Sequence, residues 1–250
     1  MSAIGLLLAG MTMAAALRPL PVAAEARVAV AANFTAAAQE IAAAFAAAGG
    51  GRVRLSFGST GQLYGQIVQG APFDVFLAAD AERPARALAE GLAVPGSGFT
   101  YAVGRLALWS RDPGLVRGPE TLAAAGVGPL AIANPETAPY GVAAVAVLRA
   151  LGRFDALAPQ LVRGSNIAQA YQFVASGNAA LGFVALSQIA GQDAGSRWLV
   201  PADLHPAIRQ DAVLLQRGRD NPTAAAFLAF LKGPEASSII ARYGYDSDQR

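Results

Sequence analysis

Four short polar turns are the parts of this sequence whose residue types and spacing could do chemistry. Each follows an apolar run that predicts a buried strand, and each precedes a run that predicts a helix. They are Ala32-Asn33-Phe34-Thr35, Gly58-Ser59-Thr60-Gly61, Pro135 to Gly141 (PETAPYG) and Gly164-Ser165-Asn166-Ile167. Backbone N–H groups at a helix N-terminus lack intrahelical partners and lie at the positive end of the helix dipole, so such turns attract anions.

The turns contain hydroxyl and amide groups but no Lys, Arg, His or Cys. This composition favours reversible binding of a small oxyanion, whereas catalysis would need a nucleophile or a group that transfers protons. Each turn also has a purely structural interpretation: Asn33 and the Ser59-Thr60 pair could be helix caps, and Tyr140 a surface aromatic residue. The convergence of four such turns at strand ends favours a binding site.

Two aspartates flank the apolar run VFLAA and could form a metal site or an acid pair. We expect instead that Asp74 makes a structural ion pair and that Asp80 caps the following helix. His205 is the only histidine, so a Ser-His-Asp triad would depend on it alone, which disfavours hydrolase chemistry. Arg242 and Tyr243 are expected to pack at a helix end. The Gly58 to Gly61 turn lacks the Gly-Lys-Ser/Thr of a nucleotide-binding loop.

The composition indicates a globular protein that does not bind nucleic acid. Of 250 residues, 54% are hydrophobic and 14% are charged, and the formal net charge of +2 is too small for a polyanion-binding surface. There is no Cys, which excludes disulfides, thiolate metal sites and Cys nucleophiles.

The first 26 residues resemble an export signal. The apolar run Ile4 to Leu17 is too short to span a bilayer comfortably, and small residues follow it, with cleavage expected after Ala24 or Ala26. No Lys or Arg precedes the run, so either the true start lies upstream or the signal is atypical. A buried N-terminal helix is the alternative, which Pro19 and Pro21 disfavour. We therefore expect a soluble, exported, periplasmic chain.

From residue 27 onward, short apolar strands alternate with amphipathic helices, which predicts an α/β fold. A strand–helix unit is complete by residue 90, and a second begins near Leu130. Two long strands, Tyr101–Ser110 and Asp211–Gln216, are predicted to cross between two lobes. The expected division is a signal peptide over 1–26, a first lobe from 27–100 and 211–250, and a second lobe from 101–210. Such lobes would form a hinge with the ligand in the cleft.

Five stretches, in this order and spacing, resemble the periplasmic molybdate-binding proteins of ABC transporters, the ModA family. They are VAVAANFTAAAQEIAAAF (28–45), SFGSTGQLYGQIVQGAPFDVFLAAD (56–80), ANPETAPYG (133–141), GSNIAQAYQFVASGNAALGFVALSQI (164–189) and FLKGPEASSIIARYGY (230–245). The resemblance implies a type II periplasmic-binding fold with tetrahedral molybdate or tungstate held between the lobes. It also implies an ABC-transporter permease as partner.

The resemblance also assigns ligand-binding residues to the four turns. Asn33 matches a first-turn ligand that is Ser or Asn in family members, and Thr60 matches a family Ser, with Ser59 as a neighbouring donor. Tyr140 and Ile167 match positions that donate backbone N–H groups. Some members add a Tyr hydroxyl at the position of Ala185, so that contact is absent here.

Three classes of function remain open at this point. The first is a receptor for molybdate and tungstate, which we expect to be a monomer without a cofactor or a metal bound directly to side chains. The second is a receptor on the same fold for another solute, such as sulfate or ferric iron, although the clustered Tyr or His ligands of an iron site are not evident. The third is an enzyme or a transcriptional effector domain. A donor-only pocket favours the first class and rejects hydrogenphosphate, whose proton would lack an acceptor.

Overall fold

The computed structural model describes residues 25–124 and 128–247, which contain two five-stranded sheets. The first sheet has the spatial order β2-β1-β3-β10-β4, and the second has the order β7-β6-β8-β5-β9. The strands are β1 (Ala26–Ala31), β2 (Val53–Gly58), β3 (Val75–Leu77), β4 (Phe99–Gly104), β5 (Leu106–Ser110), β6 (Leu130–Ala133), β7 (Leu161–Gly164), β8 (Leu181–Ala185), β9 (Ser196–Leu199) and β10 (Ile208–Leu214).

Helices cover both faces of each sheet. They are α1 (Thr35–Ala47), α2 (Thr60–Val68), α3 (Glu82–Ala89), α4 (Pro139–Ala150), α5 (Phe154–Leu157), α6 (Ile167–Ala175), α7 (Pro222–Leu231) and α8 (Pro234–Arg242). Pro139, Pro222 and Pro234 each begin a helix, where the N–H that proline lacks would have no intrahelical partner. Short 3₁₀ turns include Ala32–Phe34 and Leu186–Gln188, which lie at the junction of the two sheets.

Strand β1 shows how the two-layered core of the first lobe forms. Val28 and Val30 pack with residues of α1, α7 and α8, whereas Ala29 packs with residues of α2 and α3. Because successive side chains of a strand point to opposite faces, a continuously apolar strand needs a helix layer on each side. The α/β fold with two lobes predicted from the alternating pattern is therefore confirmed.

The crossings between the sheets differ from the prediction in two ways. The run Tyr101–Ser110 forms two strands, because β4 ends its pairing at Gly104 and β5 begins pairing with β8 at Leu106. The return crossing was predicted within Asp211–Gln216, which is wrong, since all of β10 pairs inside the first sheet. The chain changes sheet before it, between Leu199 and Ile208. The division into 27–100, 101–210 and 211–250 stays a prediction.

The predicted signal peptide lies almost entirely outside the described residues. Of its final two residues, Glu25 lies within 4 Å of the guanidinium groups of Arg52 and Arg54, and Ala26 is buried in β1 opposite Val53. Among the described residues, no single helix is long and apolar enough to cross a membrane. Helices α7 and α8 meet that criterion only when taken together, as a pair bent by 60°.

Candidate functional site

The four polar turns meet because they follow two pairs of neighbouring parallel strands. In the first sheet, Ala31 at the end of β1 lies opposite Gly58 at the end of β2. In the second sheet, Ala133 at the end of β6 lies opposite Gly164 at the end of β7. The carboxyl ends of parallel strands share one edge of a sheet, and ligands of open α/β sheets bind outside that edge. All five residues predicted from the sequence line one cavity there: Asn33, Ser59, Thr60, Tyr140 and Ile167.

The size of this cavity restricts what it can hold. Its volume is about 10 Å³. A single ordered water needs roughly this much space, whereas sites for drug-sized organic ligands occupy on the order of 300–1,000 Å³. A cavity of this volume excludes a sugar, an amino acid or a peptide in this conformation and suits a ligand of only a few atoms.

Three buried hydroxyl groups in the cavity wall accept a hydrogen bond from the protein and keep their own proton uncommitted. Thr60 Oγ1 accepts from the N–H of Ala79 at 3.0 Å, and Ser59 Oγ accepts from the N–H of Gln62 at 3.4 Å. The Tyr140 hydroxyl accepts from Gln210 Nε2 at 3.3 Å. None of the three donates to an acceptor in the described part of the chain. The wall therefore offers protons, which a fully ionised oxyanion accepts.

Backbone N–H groups add to these donors. Thr60 and Ile167 are the first residues of α2 and α6, and Tyr140 is the second residue of α4. Asn33 occupies the second position of its 3₁₀ turn. At such positions the N–H group has no intrahelical acceptor, so it is available to a ligand at the positive end of the helix. The side chains of Ser59 and Asn166 cap α2 and α6 and fix the direction of these helix starts.

The Asn33 side chain is already engaged by the protein. Its Nδ2 donates to Gln210 Oε1 at 2.9 Å and to the Tyr245 hydroxyl at 3.0 Å. An amide nitrogen carries two protons, so neither remains for a ligand. The Asn33 carbonyl accepts from Ser187 Oγ and from the Tyr245 hydroxyl, both at 2.8 Å. The backbone N–H is thus the group that Asn33 can offer to an anion.

Sequence reasoning missed Gln210, Tyr245, Ser187 and Tyr101, which form this buried polar network. The Tyr101 hydroxyl lies 2.9 Å from the Ala78 carbonyl and 3.1 Å from Gln210 Oε1. A signal existed for Gln210, since it falls between Ile208 and Ala212 on the buried face of the alternating run IRQDAVL. We predicted that this strand begins at Asp211, so Gln210 fell outside it and was overlooked.

The network is uncharged at neutral pH. Burial raises the pKa of Tyr101, Tyr140 and Tyr245 above the ordinary range of a phenol. The nearby carboxyl of Asp80 also has a raised pKa because it is buried, an effect that its contacts with Arg83 oppose. All three tyrosines therefore keep their protons under physiological conditions.

The two lobes touch beside the cavity, so this structure is a closed conformation. The N–H of Gly61 in α2 donates to the carbonyl of Thr137, at 2.8 Å, across the cleft. A Cβ on Gly61 would lie 3.0 Å from Thr137 Cα, so only glycine permits this approach without a shift. Behind the cavity, Ser187 from the second lobe donates to Asn33 from the first.

The remaining candidates have structural roles. Asp80 caps α3, as predicted, because its Oδ1 accepts from the N–H of Arg83 at 2.9 Å. The ion pair expected for Asp74 is not found among the described residues, where its carboxylate accepts from the Arg27 N–H at 2.7 Å and from Asn221 Nδ2 at 3.3 Å. A buried carboxylate can be satisfied by N–H groups without a cation.

His205 and the last helix do not contribute to the cavity. The His205 ring lies 2.8 Å from the carbonyl of Pro206, in the segment that returns to the first sheet. Arg242 and Tyr243 both contact Glu40, so they join α8 to α1, as the prediction of a packed helix end required. Within 25–124 and 128–247, no three His, Asp or Glu side chains are grouped so that they could hold a metal ion.

Comparison with known proteins places the chain in a family. Residues 26–246 match the family of bacterial extracellular solute-binding proteins. The chain belongs to this family. The molybdate-binding protein ModA of Rhodobacter capsulatus is 54% identical over 227 residues, which are 90% of each chain. The protein of the same name from Azotobacter vinelandii is 55% identical over 89% of this chain and 90% of its own length.

Solved structures of this family agree with the two-lobed architecture. The periplasmic molybdate-binding protein of Azotobacter vinelandii superimposes with a TM-score of 0.87 and 42% identity, covering 90% of this chain and 100% of its own. The type II periplasmic-binding fold and the resemblance to the molybdate-binding proteins, both predicted from the sequence, are thereby confirmed.

Proposed function

We propose that this solute-binding protein is an extracytoplasmic receptor that binds molybdate and tungstate and delivers them to the permease of an ABC transporter. One observation carries the proposal: the cavity at the four turns is small, and its hydroxyl groups keep their protons for a ligand. A fully deprotonated tetrahedral dianion matches both properties. The names of the relatives described above support the choice of molybdate.

The proposed contacts come from both lobes. Ser59 and Thr60 donate hydroxyl protons from the first lobe, and Asn33 and Thr60 add their backbone N–H groups. Tyr140 and Ile167 donate from the second lobe, Tyr140 through its hydroxyl or its N–H and Ile167 through its N–H. Ala185 offers no hydroxyl, and the phenol of Tyr140 supplies one on that side. Each hydrogen bond to the charged oxyanion is about twice as strong as a bond between neutral groups.

The same features favour a carrier over an enzyme. The cavity wall holds no cation that would retain a dianion tightly, and no nucleophile lies beside a general base. Release therefore requires only that the lobes separate and that water replaces the donors. Binding through neutral donors is reversible in this way, which suits a receptor that must give up its ligand to a permease.

We further propose that the mature protein is periplasmic and monomeric and that it starts at Glu25. Cleavage after Ala24 keeps Ala26 in β1, where it is buried and bonded through its N–H to the carbonyl of Arg52 at 2.9 Å. Cleavage after Ala26 would remove this residue and its hydrogen bond from the start of the pairing between β1 and β2. N-terminal sequencing of the exported protein distinguishes the two sites.

Calorimetric titration of the mature protein with molybdate, tungstate, sulfate and phosphate at neutral pH tests the function. We expect molybdate and tungstate to bind far more tightly than sulfate, and phosphate to bind at the limit of detection. The phosphate result follows from the lack of an acceptor for its proton. Sulfate binding as tight as that of molybdate would favour the alternative function, a receptor for another oxyanion on this fold.

A further inference from the structure

Gln210 is a fully buried polar residue that the proposed ligand contacts do not use. It is 0% exposed and lies on β10, where the pairing with β4 shifts register between Gln210 and Asp211. An unpaired buried amide destabilises the folded state, so the hydrogen bonds of Gln210 are expected to have a reason. These bonds connect the two sheets: Asn33 follows β1 and Tyr101 lies on β4, both in the first sheet, whereas Tyr140 lies on α4, which packs on the second.

The orientation of the Gln210 amide follows from its neighbours. Its oxygen must face Asn33 Nδ2, which is 2.9 Å away, because two NH₂ groups cannot bond to each other. Its nitrogen therefore faces the Tyr140 hydroxyl, 3.3 Å away. A hydroxyl that accepts from an N–H group directs its own proton elsewhere. Tyr140 is 1% exposed and lines the cavity, so the ligand site is open to that proton. The Asn33 side chain is the other hydrogen-bonding neighbour of this hydroxyl.

We propose that Gln210 is a positioning residue that sets the direction of the Tyr140 hydroxyl, so that its proton points at the bound anion when the lobes are closed. The inference rests on the proposed function, since the anion is the last acceptor in this series of hydrogen bonds. Asn33 fixes the Gln210 amide, and Gln210 fixes the tyrosine. A residue remote from the ligand thereby determines one of its donors, and it does so only in the closed conformation, where the first lobe reaches Tyr140.

A double-mutant cycle on molybdate affinity tests the coupling. Tyr140→Phe removes the donor and should weaken binding about tenfold. Gln210→Met keeps the length of the side chain but cannot donate, and it should weaken binding about three- to tenfold. The double variant should bind no more weakly than Tyr140→Phe alone, because Gln210 acts through the hydroxyl. Additive losses would overturn the proposal, since they would mean that Gln210 acts independently of Tyr140.

The variant Gln210→Glu, measured with and without Tyr140→Phe, separates the effect on the Tyr140 hydroxyl from the repulsion between the new carboxylate and the anion. When ionised, the introduced carboxylate only accepts, so the Tyr140 proton turns toward it and the anion loses a donor. When protonated, it donates to Tyr140 again. Affinity for molybdate should therefore rise at least about tenfold in this variant from pH 8 to pH 6, while the affinity of the wild type stays within about twofold. The double variant Gln210→Glu/Tyr140→Phe retains only the repulsion, so an equal pH dependence of the two variants contradicts the proposal.

The groups facing Gln210 do not interfere with this measurement. Tyr101, Tyr140 and Tyr245 have raised pKa values and stay neutral in this range. Asp211, the next residue on β10, accepts from Thr100 Oγ1 at 2.7 Å, and Arg209 also contacts Thr100. The pH profile of the wild type accounts for these groups and for Asp80. If the wild type fails to bind molybdate, the proposed function fails; if it binds and the coupling is absent, only the role of Gln210 fails.

Discussion

At the scale of single residues, the site depends on hydroxyl groups whose acceptor side is already occupied. Thr60 illustrates the arrangement, because its Oγ1 accepts from the N–H of Ala79 and only its proton is left for a ligand. A hydroxyl held in this way can only donate, so the O–H proton of a protonated oxyanion finds no acceptor there. Selectivity against phosphate then requires no charged residue.

Replacing Thr60 by Val removes this hydroxyl while keeping the shape of the side chain. We expect a loss of about 1.5–3 kcal/mol in binding free energy, or ten- to a hundredfold in Kd, because one donor to the anion disappears. Titration calorimetry with molybdate measures the loss. Thr60→Ser restores the hydroxyl and should bind within a few-fold of the wild type. A Val variant with unchanged affinity would remove Thr60 from the ligand set.

At the scale of elements, the alternation of strands and helices and the four turns between them could be predicted from the sequence. The second unit was predicted to begin near Leu130, where β6 does begin, and its run LAIA is continuously apolar, as buried parallel strands are. The short edge strand β9 was missed, since SRWL carries two polar residues and lies in a stretch rich in Pro and Gly. Pairing partners are set by contacts distant in sequence, so the crossings could not be located from local pattern.

Some residues of the candidate site could likewise be predicted from the sequence, and others could not. The turns around Asn33, Thr60, Tyr140 and Ile167 carry local signals, because a strand end, polar residues and a helix start follow each other along the chain. Gln210 and Ser187 reach the site from β10 and from the turn after β8, and their role depends on which strands become neighbours. Only the three-dimensional structure reveals that they hold Asn33.

Helix α2 offers a matched pair of glycine substitutions for testing closure. Gly61→Ala places a methyl group 3.0 Å from Thr137 Cα and 3.1 Å from Thr137 O, so the lobes must stay apart by a few tenths of an ångström. We expect affinity for molybdate to fall about tenfold, in line with an overpacking cost of about 1–3 kcal/mol. Titration calorimetry checks this.

Gly65 lies one turn later in the same helix and is the control for that experiment. No atom lies within 4 Å of a Cβ built there. Gly65→Ala should leave affinity unchanged and raise the free energy of unfolding by about 0.4–1 kcal/mol, because alanine suits a helix interior better. Equal affinities for the two variants would mean that the contact between Gly61 and Thr137 does not limit closure.

At the scale of the whole molecule, the ligand should select the closed conformation. Donors from both lobes engage the anion together only when the cleft is shut, so binding must favour that state. Small-angle scattering of the free protein should give a larger radius of gyration than the molybdate complex. Saturation should also raise the melting temperature, by a stabilisation of about 4 kcal/mol at a thousandfold excess over Kd. An identical radius with confirmed tight binding would indicate a preformed cleft and a rigid hinge.

The position of β10 in the first sheet has a consequence for how the chain reaches its native state. The second sheet is built from one continuous stretch, residues 106–199, whereas the first needs β10 inserted between β3 and β4. Strand β4 pairs only with β10 among the described strands, so it has no partner until residues 208–214 are present. Contacts distant in sequence form slowly because the connecting loop must be ordered first.

We therefore expect the second lobe to fold before the first. Pulsed hydrogen exchange during refolding should show protection of amides in β5 and β8 before protection of amides in β4, and protection of β4 at the same rate as that of β10. Earlier protection of β4 would contradict this order. During vectorial synthesis or translocation, the second lobe would then be folded while the first stays incomplete until β10 is present. A nascent chain stopped before Ile208 would be a target for chaperones and proteases.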